Sequence, residues 1–180
     1  MPEIYTPEED SYLLSKVLKE NIPRLINKEK SLKILEIGPG SGIQIQTLLN
    51  LGIEKEKIFS ADINHEAVIH CQKLGFNCIE SNLFEKINDK YDIIIFNPPY
   101  LPEDKKEPKD SKLATTGGKE GSEIINEFLK QAKDHLNKDG KIFLLISSLT
   151  RQINWLDYNK KIIDTKKMFF EELYVLELTI

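Results

Sequence analysis

Ile34-Leu35-Glu36-Ile37-Gly38-Pro39-Gly40-Ser41-Gly42 carries the pattern of a strand, a glycine turn and a helix start. A short buried strand, Leu32 to Ile37, runs into a glycine-rich turn, and the turn opens a helix that continues to about Asn50. Glycine has no side chain, so such a turn lets a ligand come close to the backbone. The spacing is G-x-G-x-G, and Ile43 stands where the dinucleotide fingerprint has its third glycine. Pro39 also removes one backbone donor. Both features point away from a pyrophosphate and towards a nucleoside without phosphates. Asp62 ends the next strand, the position from which a carboxylate accepts hydrogen bonds from ribose hydroxyls in doubly wound folds. It would also serve as a cap for the helix that follows. Glu36 either holds the turn or contacts the ligand.

Outward from this stretch, strands and helices alternate. Upstream, Thr6-Pro7-Glu8-Glu9 reads as a helix start with a capping box, and Leu13, Leu14, Val17 and Leu18 share one face. Pro23 is expected to break this helix, and Asn27 to Ser31 to form a loop. Downstream come a strand over Lys57–Asp62, a helix over Asn64–Leu74 and a short strand over Phe76–Ile79. Tyr91–Phe96 is a strand covered on both faces, because Ile93, Ile94 and Ile95 stand in a row. A helix over Ser122–Leu136 leads to a strand over Lys141–Ser147. A short helical stretch around Gln152–Leu156 precedes two strand-like runs, Lys160–Phe170 and Leu173–Ile180. Those two are joined too tightly for a crossover and should form an antiparallel hairpin. The expectation is an α/β fold in one domain, 1–180, with a doubly wound, mostly parallel seven-stranded sheet. Residues 1–30 would form a helical segment packed on it.

The totals exclude several classes. The 180 residues fit one sizeable core, and no window approaches the roughly 20 apolar residues of a membrane span. The two cysteines, Cys71 and Cys78, with no Cys/His cluster, indicate neither a disulfide framework nor a metal site, and read as reduced cytoplasmic thiols. His65, His70 and His135 read as structural. A net charge of -4 and a pI near 5.5 argue against nucleic acid as a partner. Lys105, Lys106, Lys109, Lys112 and Lys119 are interleaved with Glu103, Asp104, Glu107 and Asp110, so a solvated loop is expected there.

Phe96-Asn97-Pro98-Pro99-Tyr100 follows the Tyr91–Phe96 strand at its carboxyl end, the edge where ligands lie in open α/β sheets. The two prolines stop the strand and pre-set the direction of Asn97 and of the Pro98 carbonyl. Asn-Pro-Pro-Tyr after a strand, with E-x-G-x-G-x-G upstream, resembles the amino-methyltransferases acting on adenine, cytosine or glutamine nitrogen. Within that group the chain is similar to the short HemK-related class I methyltransferases of archaea and eukaryotes. Supporting stretches are Tyr5-Thr6-Pro7-Glu8-Glu9-Asp10-Ser11, Gly117-Gly118-Lys119-Glu120-Gly121 and the closing Leu173–Ile180. The likeness spans nearly the whole chain and begins at Tyr5, without the N-terminal helical domain of longer bacterial relatives.

The resemblance implies a Rossmann-like fold, S-adenosyl-L-methionine as cofactor, and transfer to the glutamine of the Gly-Gly-Gln motif in class-1 release factors. It further implies a small zinc-binding activator subunit as partner. By the same resemblance Asp10 and Ser11 line the donor pocket, Glu36, Gly38 and Gly40 border the methionine portion, and Asp62 binds the ribose. Asn82 stands where relatives often carry an acid facing the adenine. Asn97 and Pro98 take the acceptor nitrogen, and Tyr100 flanks it. An amide nitrogen has its lone pair delocalised into the carbonyl. Two acceptors on its N–H bonds, the Asn97 side-chain oxygen and the Pro98 carbonyl, would turn that lone pair towards the methyl donor. The segment alone leaves adenine N6 open, and lysine methylation or a non-catalytic scaffold also remain as alternatives.

Overall fold

The computed structural model describes residues 4–26, 32–103 and 115–180. Helix α1 (Glu9–Ile26) leads into β1 (Ile34–Ile37), α2 (Ile43–Asn50), β2 (Ile58–Asp62), α3 (His65–Lys73), β3 (Cys78–Glu80) and β4 (Tyr91–Phe96). Then follow α4 (Glu123–Ala132), β5 (Leu136–Ser147), β6 (Asn159–Lys167) and β7 (Glu172–Thr179). The strands make one seven-stranded sheet in the order β3-β2-β1-β4-β5-β7-β6. Pairings from β3 to β5 are parallel, whereas β7 runs antiparallel to both β5 and β6. The chain works outward from β1 in one direction, then returns to its other side with β4. The ligand crevice of such a fold opens between β1 and β4.

Period-two alternation divides the apolar residues between two cores. Ile34, Ile93, Ile95, Phe143 and Leu145 face the core covered by α1, α2 and α3. Leu35, Ile94, Phe96, Ile142 and Leu144 face the core covered by α4, whose Phe128 is fully buried. The Ile93–Ile95 run is therefore covered on both faces, as its composition implies. In α1 the apolar positions Leu13, Leu14, Val17, Leu18 and Ile22 all lie in the first core.

Several boundaries depart from the sequence reading, each for a local reason. Helix α1 begins at Glu9, with Tyr12 N donating to the Glu8 carbonyl at 3.1 Å, so Thr6 and Pro7 precede the helix rather than cap it. Pro23 does not break α1. It removes the donor for the Lys19 carbonyl, and Lys19 lies on the exposed side, where solvent can take its place. The α4 helix gives way to a 3-10 turn at Lys133–His135, and β5 starts at Leu136 rather than Lys141. A register shift between Tyr91 and Ile93, with Asp139 at φ 64°, absorbs the residues between. Gln152–Leu156 is not helical. Gln152 and Leu156 have positive φ, and the Asn126 side chain accepts from Asn154 N at 2.7 Å while donating to the Gln152 carbonyl at 3.2 Å. Strand β6 stops at Lys167, and Met168 N closes the turn onto the Glu171 carbonyl at 2.8 Å. The expected loop at Asn27–Ser31 and most of the lysine-rich stretch, 104–114, fall outside the described residues.

Gly42 stands in the left-handed region, φ 80°, at the N-terminus of α2. A Cβ there would lie 2.7 Å from Phe76 Cε2, whereas at Gly52, also left-handed with φ 84°, it would meet nothing within 4 Å. Left-handed strain alone costs roughly 1–2 kcal/mol. Gly52→Ala should lose about that much and Gly42→Ala distinctly more, by urea unfolding midpoints. Equal losses would contradict the packing of the turn on Phe76.

Candidate active site

A cavity of about 410 Å³ opens at the carboxyl ends of β1, β2 and β4. Its walls come from the Glu36–Gln44 turn, the Ala61–Asn64 segment, Ser81–Leu83, Phe96–Pro99, the first turn of α1 and the start of α4. Asp10, Ser11, Glu36, Gly38, Gly40, Asp62, Asn82, Asn97 and Pro98 are all brought to it. Tyr100 is not part of the lining. It packs, partly buried, against both apolar cores, and its hydroxyl points at Asp10. None of the three histidines lines the cavity. His65 Nδ1 pairs with Glu80 at 2.7 Å, and His135 stacks on Phe84.

The three glycine amides of the turn are occupied. Gly38 N donates to the Ala61 carbonyl at 2.8 Å, Gly40 N to Asp62 Oδ2 at 3.1 Å, and Gly42 N to the Pro39 carbonyl at 2.7 Å. These three donors are not offered to an anion, which sharpens the argument from Pro39 against a pyrophosphate. Asp62 does not cap α3. Asn64 does, accepting from Glu66 N at 3.1 Å, while Asp62 Oδ1 accepts from Asn64 N at 2.8 Å. Asp62 thus ties the turn to the end of β2, and burial raises its carboxyl above the usual range. Cys71 and Cys78 are free and buried beneath the turn, where the Cys71 thiol faces the Gly40 carbonyl at 3.6 Å.

Two buried acceptors stand without a partner among the described residues, Glu36 Oε2 and Asn97 Oδ1. Leaving a buried polar atom unsatisfied costs about 1–3 kcal/mol, so each invites a donor from a ligand. Glu36 is pushed up from 4.5 to about 8, by burial above all and then by the neighbouring Cys78 and Asp62.

Sequence reasoning missed what surrounds Asp10. This buried carboxylate accepts from the Tyr5 hydroxyl at 3.1 Å and from Ser11 N on Oδ1. On Oδ2 it accepts from Asn97 Nδ2 at 3.0 Å and the Tyr100 hydroxyl at 3.4 Å. Burial, and next the charge of Asp10, push both phenols up, so they remain protonated donors. A second buried network joins α1 to α2. Ser15 Oγ donates to Gln44 Oε1 at 2.8 Å, and Gln44 Nε2 donates to the Ser11 carbonyl at 2.9 Å. The available signal was a serine and a glutamine standing on otherwise apolar helix faces. The Gly117–Gly121 stretch, which the sequence marks only as a point of resemblance, has a structural role. Gly117 N donates to the Leu101 carbonyl at 2.9 Å, and a Cβ at Gly117 would lie 2.4 Å from the Pro99 carbonyl oxygen. Only glycine lets this strap lie directly on the Asn-Pro-Pro-Tyr backbone. Thr150 Oγ1 holds the same segment from the other side, donating to the Tyr100 carbonyl at 2.9 Å.

The family described as methyltransferase small domain matches residues 11–165. The chain belongs to that family. It is a methyltransferase, and its relatives are of the HemK-related kind. A putative protein N5-glutamine methyltransferase of Methanocaldococcus jannaschii is 37% identical over 97% of this chain and 91% of its own length. The release factor glutamine methyltransferase of Lactococcus lactis is 30% identical over 82% of this chain, which spans 59% of that protein. Among solved structures, the E. cuniculi Mtq2-Trm112 complex, responsible for methylation of the eRF1 translation termination factor, has a chain that superposes with a TM-score of 0.70. The two are 25% identical over 99% of this chain and 98% of that one. The sheet order and C-terminal antiparallel strands are those of a class I methyltransferase fold, as the sequence implies.

The raised Glu36 carboxyl makes stability depend on pH in a defined direction. Between about pH 4.5 and about pH 8 the folded methyltransferase keeps a proton that the unfolded chain has released. Stability therefore falls as pH rises through that window, as far as this group is concerned. Urea unfolding at about pH 5 and about pH 8 should show that Glu36→Gln removes part of the fall. An unchanged pH slope in the variant would contradict the assignment.

Proposed function

We propose that this chain transfers a methyl group from S-adenosyl-L-methionine to the side-chain amide nitrogen of the glutamine in the Gly-Gly-Gln motif of a class-1 translation release factor. The observation that carries the reading is Asn97 Oδ1, a buried amide oxygen without a partner in a residue lining the cavity. Such an atom is suited to a substrate N–H, and an amide NH2 has two of them to give.

The cavity fits the cofactor by its donor set. The Glu36 carboxyl, which on its own keeps a proton up to about pH 8, can give that proton up to pair with a ligand ammonium or share a hydrogen bond with a hydroxyl, and Asp62 stands at the end of β2, where ribose hydroxyls are taken. The occupied glycine amides suit a nucleoside without phosphates. Ser11, Glu36, Gly38, Gly40, Asp62, Asn82 and Asn97 form the cofactor side, bordered by Asp10, whose carboxylate is taken up by protein donors; exposed Asn82 lies at the rim, its Nδ2 donating to Glu85 at 2.9 Å. The cofactor supplies an electrophilic methyl group on a sulfonium.

Asn97 and Pro98 form the acceptor side, and Tyr100 braces it through Asp10. The Asn97 side-chain oxygen and the Pro98 carbonyl take the two N–H bonds of the glutamine amide. As the nitrogen becomes pyramidal and gains positive charge, both hydrogen bonds strengthen, so the binding favours the transition state over the planar ground state; once the nitrogen–carbon bond has formed, the nitrogen releases one of its two protons. Alignment contributes as well, up to roughly 7–11 kcal/mol for well-placed reactants. The prolines and the Gly117 strap hold the acceptors still. Residues 1–180 work as one catalytic domain with α1 packed on it.

The relatives named as release factor methyltransferases support the acceptor, and the Mtq2-Trm112 complex supports a second subunit as partner, here taken to be a small zinc-binding activator. A translation factor as substrate supports a cytoplasmic location for the reaction. Among the described residues no helix is long and apolar enough to cross a membrane.

Labelled-donor assays test the reading on three acceptors: a release factor, the same factor with its Gly-Gly-Gln glutamine replaced, and duplex DNA. Label should enter the first alone, and Asn97→Ala should lower kcat by about 10²- to 10³-fold. Methylation that survives loss of the glutamine, or that appears on DNA, would overturn the acceptor.

A further inference from the structure

From the hydrogen bonds converging on one carboxylate we infer that Asp10 is a positioning residue, fixing which end of the Asn97 amide is presented to the substrate. The inference rests on the proposed methyl transfer to an amide nitrogen, and it deepens that reading by naming what selects the acceptor atom. An asparagine amide is nearly symmetric in shape. Turned one way it presents an oxygen to the cavity, turned the other way an NH2 group. Only the first can take a substrate N–H; the second would set donor against donor.

Asp10 removes the ambiguity. A carboxylate only accepts, so the atom of Asn97 that lies 3.0 Å from Asp10 Oδ2 has to be the nitrogen, which leaves Oδ1 as the buried, unpaired acceptor. The carboxylate is itself held from turning. Oδ1 takes the Tyr5 hydroxyl and Ser11 N, and Oδ2 takes Asn97 Nδ2 and the Tyr100 hydroxyl. Two donors on each oxygen fill the roughly four acceptor positions a carboxylate has. Asp10 is therefore fully used by the protein and acts on the substrate through Asn97. The Tyr100 contact gives the tyrosine of the Asn-Pro-Pro-Tyr segment a role as well, as a second strut on the carboxylate. Ser11, carrying one of the four donors, is anchored in turn by Gln44. The orientation of Asn97 thus depends on α1, 87 residues away in sequence.

The test uses the full chain and has two arms. In the first, kcat for the Gly-Gly-Gln peptide is measured for Asp10→Leu, Asp10→Asn, Asn97→Ala and the double variant Asp10→Leu/Asn97→Ala. Asp10→Leu should lower kcat on the order of 10- to 100-fold. Asp10→Asn keeps an acceptor oxygen for Asn97 Nδ2 and should recover part of the loss. In the Asn97→Ala background Asp10→Leu should add less than about threefold, because the residue it positions is gone. In the second arm, nuclear magnetic resonance follows the Asn97 side-chain NH2 signal. That signal should be protected from solvent exchange in the parent and in Asn97-containing Asp10→Asn, and lose protection in Asp10→Leu. The second arm needs no activity, so it separates failure of this inference from failure of the proposed reaction. Multiplicative losses in the double variant, or an unchanged Asn97 signal in folded Asp10→Leu, would overturn the inference.

Discussion

Strand β4 can be hydrated on neither face, because Ile93 and Ile95 lie in one core while Ile94 and Phe96 lie in the other. That double burial fixes β4 between β1 and β5 and so fixes where it can end. The chain leaves the sheet at Asn97, and Pro98 and Pro99 forbid further pairing. Everything that gives the cavity its chemistry is then arranged around a segment that cannot shift. Gly117 lies against its backbone on one side, Thr150 ties the Tyr100 carbonyl on another, and Asp10 takes the Asn97 amide from α1. The apolar cores set the position of the site, and the buried hydrogen bonds set its orientation.

The polar groups at this edge divide into those the protein satisfies and those it leaves open. The amides of Gly38, Gly40 and Gly42, both carboxylate oxygens of Asp10 and the Gln44 amide all have protein partners. Glu36 Oε2 and Asn97 Oδ1 have none among the described residues. A folded chain tolerates such unsatisfied atoms where a ligand supplies what is missing. The pattern of open and closed groups is thus a description of the ligands: one with hydroxyl or ammonium donors towards Glu36, one with N–H donors towards Asn97, and no phosphate at the glycine turn.

Much of the fold was legible because apolar periodicity reports burial directly. The Ile93–Ile95 run announced a central strand, and the leucines of α1 announced its buried face. The glycine turn and Asp62 were legible from their place at strand ends. Boundaries set by single side chains were not. Nothing in Gln152–Leu156 itself shows that Asn126, on another element, takes over its backbone hydrogen bonds. The start of β5 was hidden by a bulge, whose extra residues break the period that marks a strand. Of the candidate site, the residue types were readable, but the pairing of Asp10 with Asn97 was not. It joins a helix near the start of the chain to a loop in the middle, and only the packing of α1 against α2 and the C-terminal strands brings them within reach.

The chemistry proposed for this edge depends on a substrate nitrogen carrying two N–H bonds, one for each acceptor. A nitrogen already methylated has one left, and its methyl group would face an oxygen that needs a donor. The most direct measurement is therefore mass spectrometry of the Gly-Gly-Gln peptide driven to completion, followed by the same peptide supplied with its glutamine already monomethylated. A single methyl group per glutamine and no detectable reaction of the monomethylated peptide are expected. A dimethylated amide formed at a rate close to that of the first methylation would contradict the two-acceptor arrangement.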